Sequence, residues 1–82
     1  MITVEKAREL AAEYIKPCKL AKQSGETATR YVFTELTQEG EIFPGGADLT
    51  VDKESGECRH EFLPREGKLP WSPIKGYKKI DQ

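Results

Sequence analysis

The stretch GGADLTVDKESGECRHEF, residues 45–62, decides the fold because apolar and polar side chains alternate on both sides of a turn. Such alternation, here over 48–52 and 57–62, is typical of half-buried strands. Between the two segments, Gly56 can adopt the positive φ that a short polar turn requires. The stretch therefore predicts a β-hairpin whose inner face carries Leu49, Val51, Cys58 and Phe62. We expect His60 on the same face or at its rim.

Upstream of the hairpin, residues 4–16 have the apolar spacing of an amphipathic helix. Thr3 is a suitable N-cap because its hydroxyl can accept a hydrogen bond from a first-turn amide, and Pro17 prevents continuation of the helix. We therefore expect a helix over about 4–16 that buries one apolar stripe. The members of this stripe are Val4, Ala7, Leu10, Ala11, Tyr14 and Ile15.

Between the helix and the hairpin, the sequence predicts one central strand and one short strand. Residues 29–36, TRYVFTEL, carry β-branched and aromatic residues on both faces, which favours a central position. A short strand is expected over 41–43, followed by a break at Pro44. Residues 18–28 have no sustained period and include Ser24-Gly25, so we interpret them as a connector with a turn.

The C-terminal segment 64–82 contains three prolines and two glycines, which exclude a long helix. We expect an irregular tail in which Ile74, Tyr77 and Ile80 form either a short helical turn or a final edge strand. Trp71 has two interpretations. Its ring seals an uncovered part of the sheet, or it belongs to an exposed recognition segment, LPWSPIKGYKK.

Length and element order predict a single α+β domain over residues 1–82. In this interpretation the N-terminal helix packs on a small antiparallel sheet of three or four strands, followed by the irregular Pro-rich tail. A hydrophobic fraction of 37% and a charged fraction of 33% indicate a small core beneath a heavily charged surface.

Charge and cysteine content restrict the classes of function. The net charge of −1 gives no overall field that would attract a polyanion, although 1–63 is acidic and 64–82 is basic. The sequence has no signal-like or membrane-spanning apolar run, so we expect a cytoplasmic protein. Cys18 and Cys58 match no metal or redox spacing and are expected to be free thiols.

Reactive side chains are scarce, and each candidate site has a structural alternative. Cys58 and His60 point to the same side of a strand and could form a thiolate pair, but no third orienting group or oxyanion hole is recognisable. Glu57 and Glu61 would project to the opposite side of the strand, so they could not bind one zinc ion together with Cys58 and His60. We therefore predict no catalytic residues, no metal site and no cofactor.

Partner binding is the remaining class, and two regions are candidates. The first is an acidic surface, where carboxylates would steer a basic partner. The second is the tail, where aromatic side chains stand beside lysines. The candidate partner-binding residues are Glu35, Glu39, Glu41, Asp48, Trp71, Tyr77, Lys78 and Lys79.

Three segments resemble the YrhB-like or immunity-protein-35-like family of small bacterial proteins. They are the start MITVEKARELAAEYI, the strand RYVFTEL, and GGADLTVDKESGEC with its Asp-Lys-x-x-Gly hairpin, within residues 1–62. The resemblance implies a similar helix followed by a small antiparallel sheet. It also implies a non-catalytic protein that binds another protein, such as an immunity protein that neutralises a toxin or a small chaperone-like factor.

We therefore expect a non-catalytic protein-binding domain. Its first candidate role is that of an immunity protein that neutralises a toxin. The alternative is a nucleic-acid-binding module that uses the basic, aromatic tail for stacking and phosphate contacts. A small enzyme built on Cys58 and His60 is the third hypothesis.

Overall fold

One helix and five antiparallel strands make up the part of the chain that the computed structural model describes, residues 1–42, 47–69 and 72–80. The expected class, an α+β domain with an N-terminal helix on an antiparallel sheet, is confirmed. The sheet has five strands rather than three or four. In chain order the elements are α1 Val4–Tyr14, β1 Lys19–Glu26, β2 Arg30–Leu36, β3 Asp48–Asp52, β4 Cys58–Glu61 and β5 Lys78–Ile80.

The helix α1 begins as the sequence predicts and ends two residues earlier. The Lys6 amide donates to the Thr3 hydroxyl over 3.1 Å, which confirms the N-cap. Ala7 and Ala11 are fully buried and contact the sheet together with Ile15, which is the C-cap residue. Tyr14 is half exposed, so the stripe that the helix buries is narrower than expected.

The strands lie in the order β4-β3-β2-β1-β5, so β3, β2 and β1 are interior and β4 and β5 are the edges. One row across the sheet runs from Phe33 through Leu49 to His60. The next row runs from Tyr31 through Val51 to Cys58, and both rows face the helix. These register positions place the hairpin side chains on the predicted face.

The opposite face of the sheet is also covered. Val32 and Thr50 lie there with only 7% and 0% of their surfaces exposed. The tail is fixed to this face at two points: Asp48 accepts hydrogen bonds from the Leu63 amide (3.0 Å) and the Arg65 guanidinium (2.9 Å), and the Tyr77 ring packs on Gly25. The two interpretations of Trp71 concern a residue outside the described ranges.

The segment interpreted as a connector is the strand β1, and that prediction was wrong. The register shifts between Leu20 and Ser24, so an irregularity interrupts the alternation that a regular strand would show. Ser24-Gly25 lies inside the strand instead of forming a turn. Glycine fits there because the Tyr77 ring occupies the space of a Cβ atom.

Two other expectations need correction. In the predicted strand at 41–43, the described residues form only an isolated bridge between Ile42 and Leu36, and Phe43 is outside the described ranges. Phe62 follows the end of β4 and is 79% exposed, so it is not part of the core. Of the two options for the tail, its last described residues form the edge strand β5 beside β1.

Candidate interaction surface

Cys58 and His60 share a face of β4 but have separate partners. Cys58 Sγ lies 3.9 Å from the Gly56 carbonyl oxygen, and burial raises the pKa of its thiol. A raised pKa keeps the thiol protonated and therefore a weak nucleophile. His60 Nε2 lies 2.6 Å from Glu35 Oε1 on β2. The imidazole thus contacts a carboxylate that sequence analysis did not pair with it.

Glu35 also influences Cys18, which precedes β1. Burial, then a hydrogen bond and the negative charge of Glu35, raise the pKa of the Cys18 thiol, with a further contribution from Glu39. A nucleophilic cysteine needs a base or a cation that stabilises its thiolate. Here the neighbouring groups are carboxylates, so the arrangement disfavours the thiolate.

The third neighbour of this group is Tyr14, the last residue of α1. Its ring centroid lies 5.3 Å from that of His60, at an interplanar angle of 33°. The helix end, the Cys18 thiol and the end of β2 therefore meet at one end of the sheet. Neither Tyr14 nor Cys18 was a candidate from the sequence, because their proximity to Glu35 depends on how the helix crosses the sheet.

At the same end of the sheet, a short turn follows β2. Thr37 holds the turn, since its amide donates to the Glu41 carbonyl oxygen (2.7 Å) and its hydroxyl accepts from the Glu41 amide (3.1 Å). Glu39 and Glu41 are exposed in this turn, and Ile42 is 72% exposed. We define the helix-end surface as Tyr14, Glu35, Glu39, Glu41 and Ile42. It extends around the end of the sheet, because Tyr14 and Glu35 lie on the helix side whereas Ile42 is bridged to Leu36, whose side chain faces the other side.

The other candidate residues lie away from this surface. The Asp48 carboxylate is engaged by the tail through Leu63 and Arg65, as described above. Tyr77 is half-buried against Gly25, whereas Lys78 and Lys79 are exposed on the edge strand β5. Trp71 lies outside the described residues. The structure therefore groups Glu35, Glu39 and Glu41 and separates them from Lys78 and Lys79. Lys19, which is exposed and pairs with Leu36, lies at the same end of the sheet as the glutamates.

A polar network on the sheet face opposite the helix connects three strands. Arg30 reaches Asp52 (2.7 Å) and Glu61 (3.2 Å), and the Thr50 hydroxyl donates to Glu61. The Thr50 hydrogen bond, followed by Arg30, lowers the pKa of Glu61 despite its partial burial. Backbone amides of Ser55 and Glu54 lower the pKa of Asp52. The network joins β2, β3 and β4, so its role is to hold these strands together.

Lys53 is the one lysine that the structure places among the buried polar residues of the described chain. Its ammonium lies 2.6 Å from Glu26 Oε1 and 5.1 Å from the centroid of the Tyr31 ring. An open cleft of about 320 Å³ beside it is lined by Glu26, Thr27, Ala28, Lys53, Gly76 and Lys78. Because Lys53 is bound to a carboxylate and a ring, it stabilises the hairpin against β1 and β2.

In residues 1–42, 47–69 and 72–80, no group of three or more His, Cys, Asp or Glu side chains has the geometry to hold a metal ion. No helix within those ranges has the length and apolar character needed to cross a membrane.

Comparison with protein-family models, with curated proteins and with solved structures gives no match. The resemblance to the YrhB-like or immunity-protein-35-like family therefore stays a prediction from sequence.

Proposed function

We propose that this protein is a non-catalytic, cytoplasmic protein-binding domain that contacts a basic partner through the helix-end surface. The observation that carries the proposal is the exposure of Tyr14 (49%) and Ile42 (72%) next to carboxylates at one end of the sheet. Tyrosine is enriched among interface residues that dominate binding energy. Exposed Glu39 and Glu41 would accelerate encounter with a positively charged protein.

Rigidity supports the use of this surface for recognition. Glu35 is held by His60, and the turn that carries Glu39 and Glu41 is closed by hydrogen bonds to Thr37. A surface that is ordered before binding loses less conformational entropy when the complex forms. The residues that would contact a partner are therefore positioned in the free protein.

The chemistry of the thiols supports a non-catalytic role. The pKa of Cys18 and that of Cys58 are both raised, and His60 is bound to Glu35 rather than to either thiol. Within this class, a toxin-neutralising immunity protein fits best, because an acidic surface would mask a basic nuclease by charge complementarity. A small chaperone-like factor is the other form of the same proposal.

The nucleic-acid alternative rests on the exposed lysines of β5. Lys78 and Lys79 could contact phosphates, but the Tyr77 ring is packed on Gly25 and is not presented for stacking on a base. A titration with a fluorescent single-stranded oligonucleotide tests this alternative. A salt-dependent binding curve that is lost in Lys78→Glu/Lys79→Glu would favour it over protein binding.

The protein-binding proposal is tested by site-directed photocrosslinking followed by affinity measurement. A photoreactive residue replaces Ile42 in one variant and the exposed Lys6 in a control, and each is irradiated in lysate. Any protein captured only from Ile42 is then purified and titrated against wild-type protein. We expect the affinity of Glu39→Lys/Glu41→Lys to fall at least about tenfold and to depend on salt.

The matched control for this charge change is Glu5→Lys/Glu9→Lys, which alters exposed glutamates of α1 away from the helix-end surface. It should bind like the wild-type protein. Equal affinity of all three proteins, or capture from Ile42 and Lys6 alike, would contradict the proposal.

A further inference from the structure

The strand β4 is an edge of the sheet. Its hydrogen bonds to β3 determine which of its backbone groups face outward. The Asp52 amide donates to the Glu57 carbonyl oxygen over 2.9 Å. Hydrogen-bonded and non-hydrogen-bonded pairs alternate along an antiparallel ladder, so Arg59 and Glu61 are the next residues whose backbone groups face β3. The backbone N–H and C=O groups of Cys58, His60 and Phe62 therefore point away from the sheet.

The two edges of the sheet are protected differently. The edge strand β5 has three residues, of which Lys78 and Lys79 are exposed. Short, lysine-bearing edges are a common means of preventing strand pairing. The edge strand β4 carries one basic and one acidic side chain, Arg59 and Glu61, and is followed by Phe62, whose ring is 79% exposed. This edge is therefore the better template for an added strand.

A second copy of the same edge is complementary in charge in two of its possible registers. Outward-facing backbone groups must meet each other, so antiparallel self-pairing within β4 is centred on Cys58, Arg59, His60 or Glu61. The registers centred on Arg59 and on Glu61 place like charges opposite each other. The register centred on Cys58 pairs Arg59 with Glu57, which already contacts Arg59 within one chain, and it brings the hairpin turn against the second copy. The register centred on His60 places Arg59 opposite Glu61 of the second copy, twice.

The same register also covers exposed apolar surface. It sets Phe62 opposite Cys58 of the second copy, on the face where Cys58 packs against the core. In the single chain, Arg59 is half exposed and contacts Glu57, the residue that precedes β4. The contacts of Glu61 to Thr50 and Arg30 both use Oε2. The ion pairs between copies would thus add to the network on the opposite face.

We propose that two copies of this chain pair through β4, antiparallel and centred on His60, to form one continuous sheet of ten strands. The assembly is isologous, because each copy contributes the same strand. It does not rest on the proposed partner-binding function. Glu39, Glu41 and Ile42 follow β2, two strands away from this edge, although Tyr14 and Glu35 of the helix-end surface contact His60.

Sedimentation equilibrium of wild-type protein and Arg59→Glu tests the association. We expect a concentration-dependent dimer for the wild type and a dissociation constant at least tenfold higher for Arg59→Glu, which sets like charges opposite each other. Phe62→Ser is a second variant that should weaken the dimer without altering charge. The control Lys79→Glu makes the same charge change on the other edge and should dimerise like the wild type. Circular dichroism verifies folding of each variant.

Disulfide trapping tests the register. In a Cys18→Ser/Cys58→Ser background, His60→Cys places two thiols at the two-fold axis, where directly paired residues have Cα atoms about 5.5 Å apart. We expect rapid covalent dimer formation under mild oxidation, and much slower formation for Arg59→Cys in the same background. A wild-type monomer at all concentrations, or equal trapping of the two cysteine variants, would overturn the proposal.

Discussion

His60 Nε2 on β4 lies 2.6 Å from Glu35 Oε1 on β2, across the intervening strand β3. Because Glu35 also acts on Cys18, one carboxylate links the last β-hairpin to the segment after the helix. His60 and Cys18 therefore share Glu35 as a neighbour at one end of the sheet.

The first prediction concerns the Cys18 thiol. Burial and Glu35 both raise its pKa, so Glu35→Gln should lower that pKa by removing the negative charge, while burial keeps the rest of the shift. In a Cys58→Ser background, the rate of reaction with a disulfide reagent should rise in Glu35→Gln at pH 8. The control is Glu57→Gln. Glu57 lies beside the hairpin turn and is not among the groups that act on Cys18, so this change should leave the rate unchanged. An unaltered rate in Glu35→Gln would contradict the assigned contact.

The second prediction concerns stability in acid. The folded-state pKa of Glu61 is lowered relative to the unfolded chain, so its ionisation stabilises the fold above the ordinary carboxyl pKa of about 4.3. That contribution is lost as pH falls through the lowered folded-state pKa. Thr50→Val removes the main cause of the shift and should cost about 1 to 3 kcal/mol at pH 7 and less at pH 3.

Urea denaturation at both pH values provides the measurement. A Thr34→Val variant is the control. Because Thr34 is exposed on the same face of β2, loss of its hydroxyl should change the free energy of unfolding little at either pH. An equal loss of stability at pH 7 and pH 3 would mean that the Thr50 hydroxyl does not act through the ionised form of Glu61.

The third prediction tests how the tail is attached. A Cβ atom at Gly25 would overlap the Tyr77 ring, while the backbone φ of Gly25 is outside the left-handed region. Gly25→Ala should therefore destabilise the fold by about 1 to 3 kcal/mol through displacement of the ring. Combining it with Tyr77→Ala should remove most of that added cost in a double-mutant cycle. Strict additivity would show that the ring and Gly25 do not interact.

The fourth prediction tests the helix face. Ala11 is fully buried against the sheet, whereas the adjacent Ala12 is exposed. Ala11→Asp buries an unpaired charge at a cost of several kcal/mol, against a total stability of about 5 to 10 kcal/mol for a small domain. Far-ultraviolet circular dichroism should show loss of most folded protein for Ala11→Asp and little change for Ala12→Asp. Similar melting curves for the two variants would refute the helix orientation.

Local patterns predicted the elements that are regular in themselves. The helix is specified by its apolar period, the Thr3 cap and Pro17, and the β3–β4 hairpin by alternation around Gly56. Strand β1 was missed because its irregular register interrupts the alternation, and because Ser24-Gly25 is a turn signal in sequence but a packing site for Tyr77 in the fold. Local signals cannot report a partner that is 52 positions away in the chain.

The sequence predicted the three glutamates of the candidate site, but not Tyr14, Ile42 or the arrangement of these residues. The rim position of His60 and the exposure of Glu39 and Glu41 follow from strand pattern and from the turn after β2. The contact between Glu35 and His60 depends on the register of three strands, which the sequence does not determine residue by residue. Tyr14 looked like a core residue because the helical period alone cannot show where the sheet beneath the helix ends.

If a partner binds at the helix-end surface, it should protect that surface from hydrogen–deuterium exchange. In the complex with the protein captured through Ile42, we expect added protection at residues 13–18 and 36–42, with little change at 65–69 and 72–80. Protection confined to the tail segments, with 13–18 and 36–42 unchanged, would contradict this expectation.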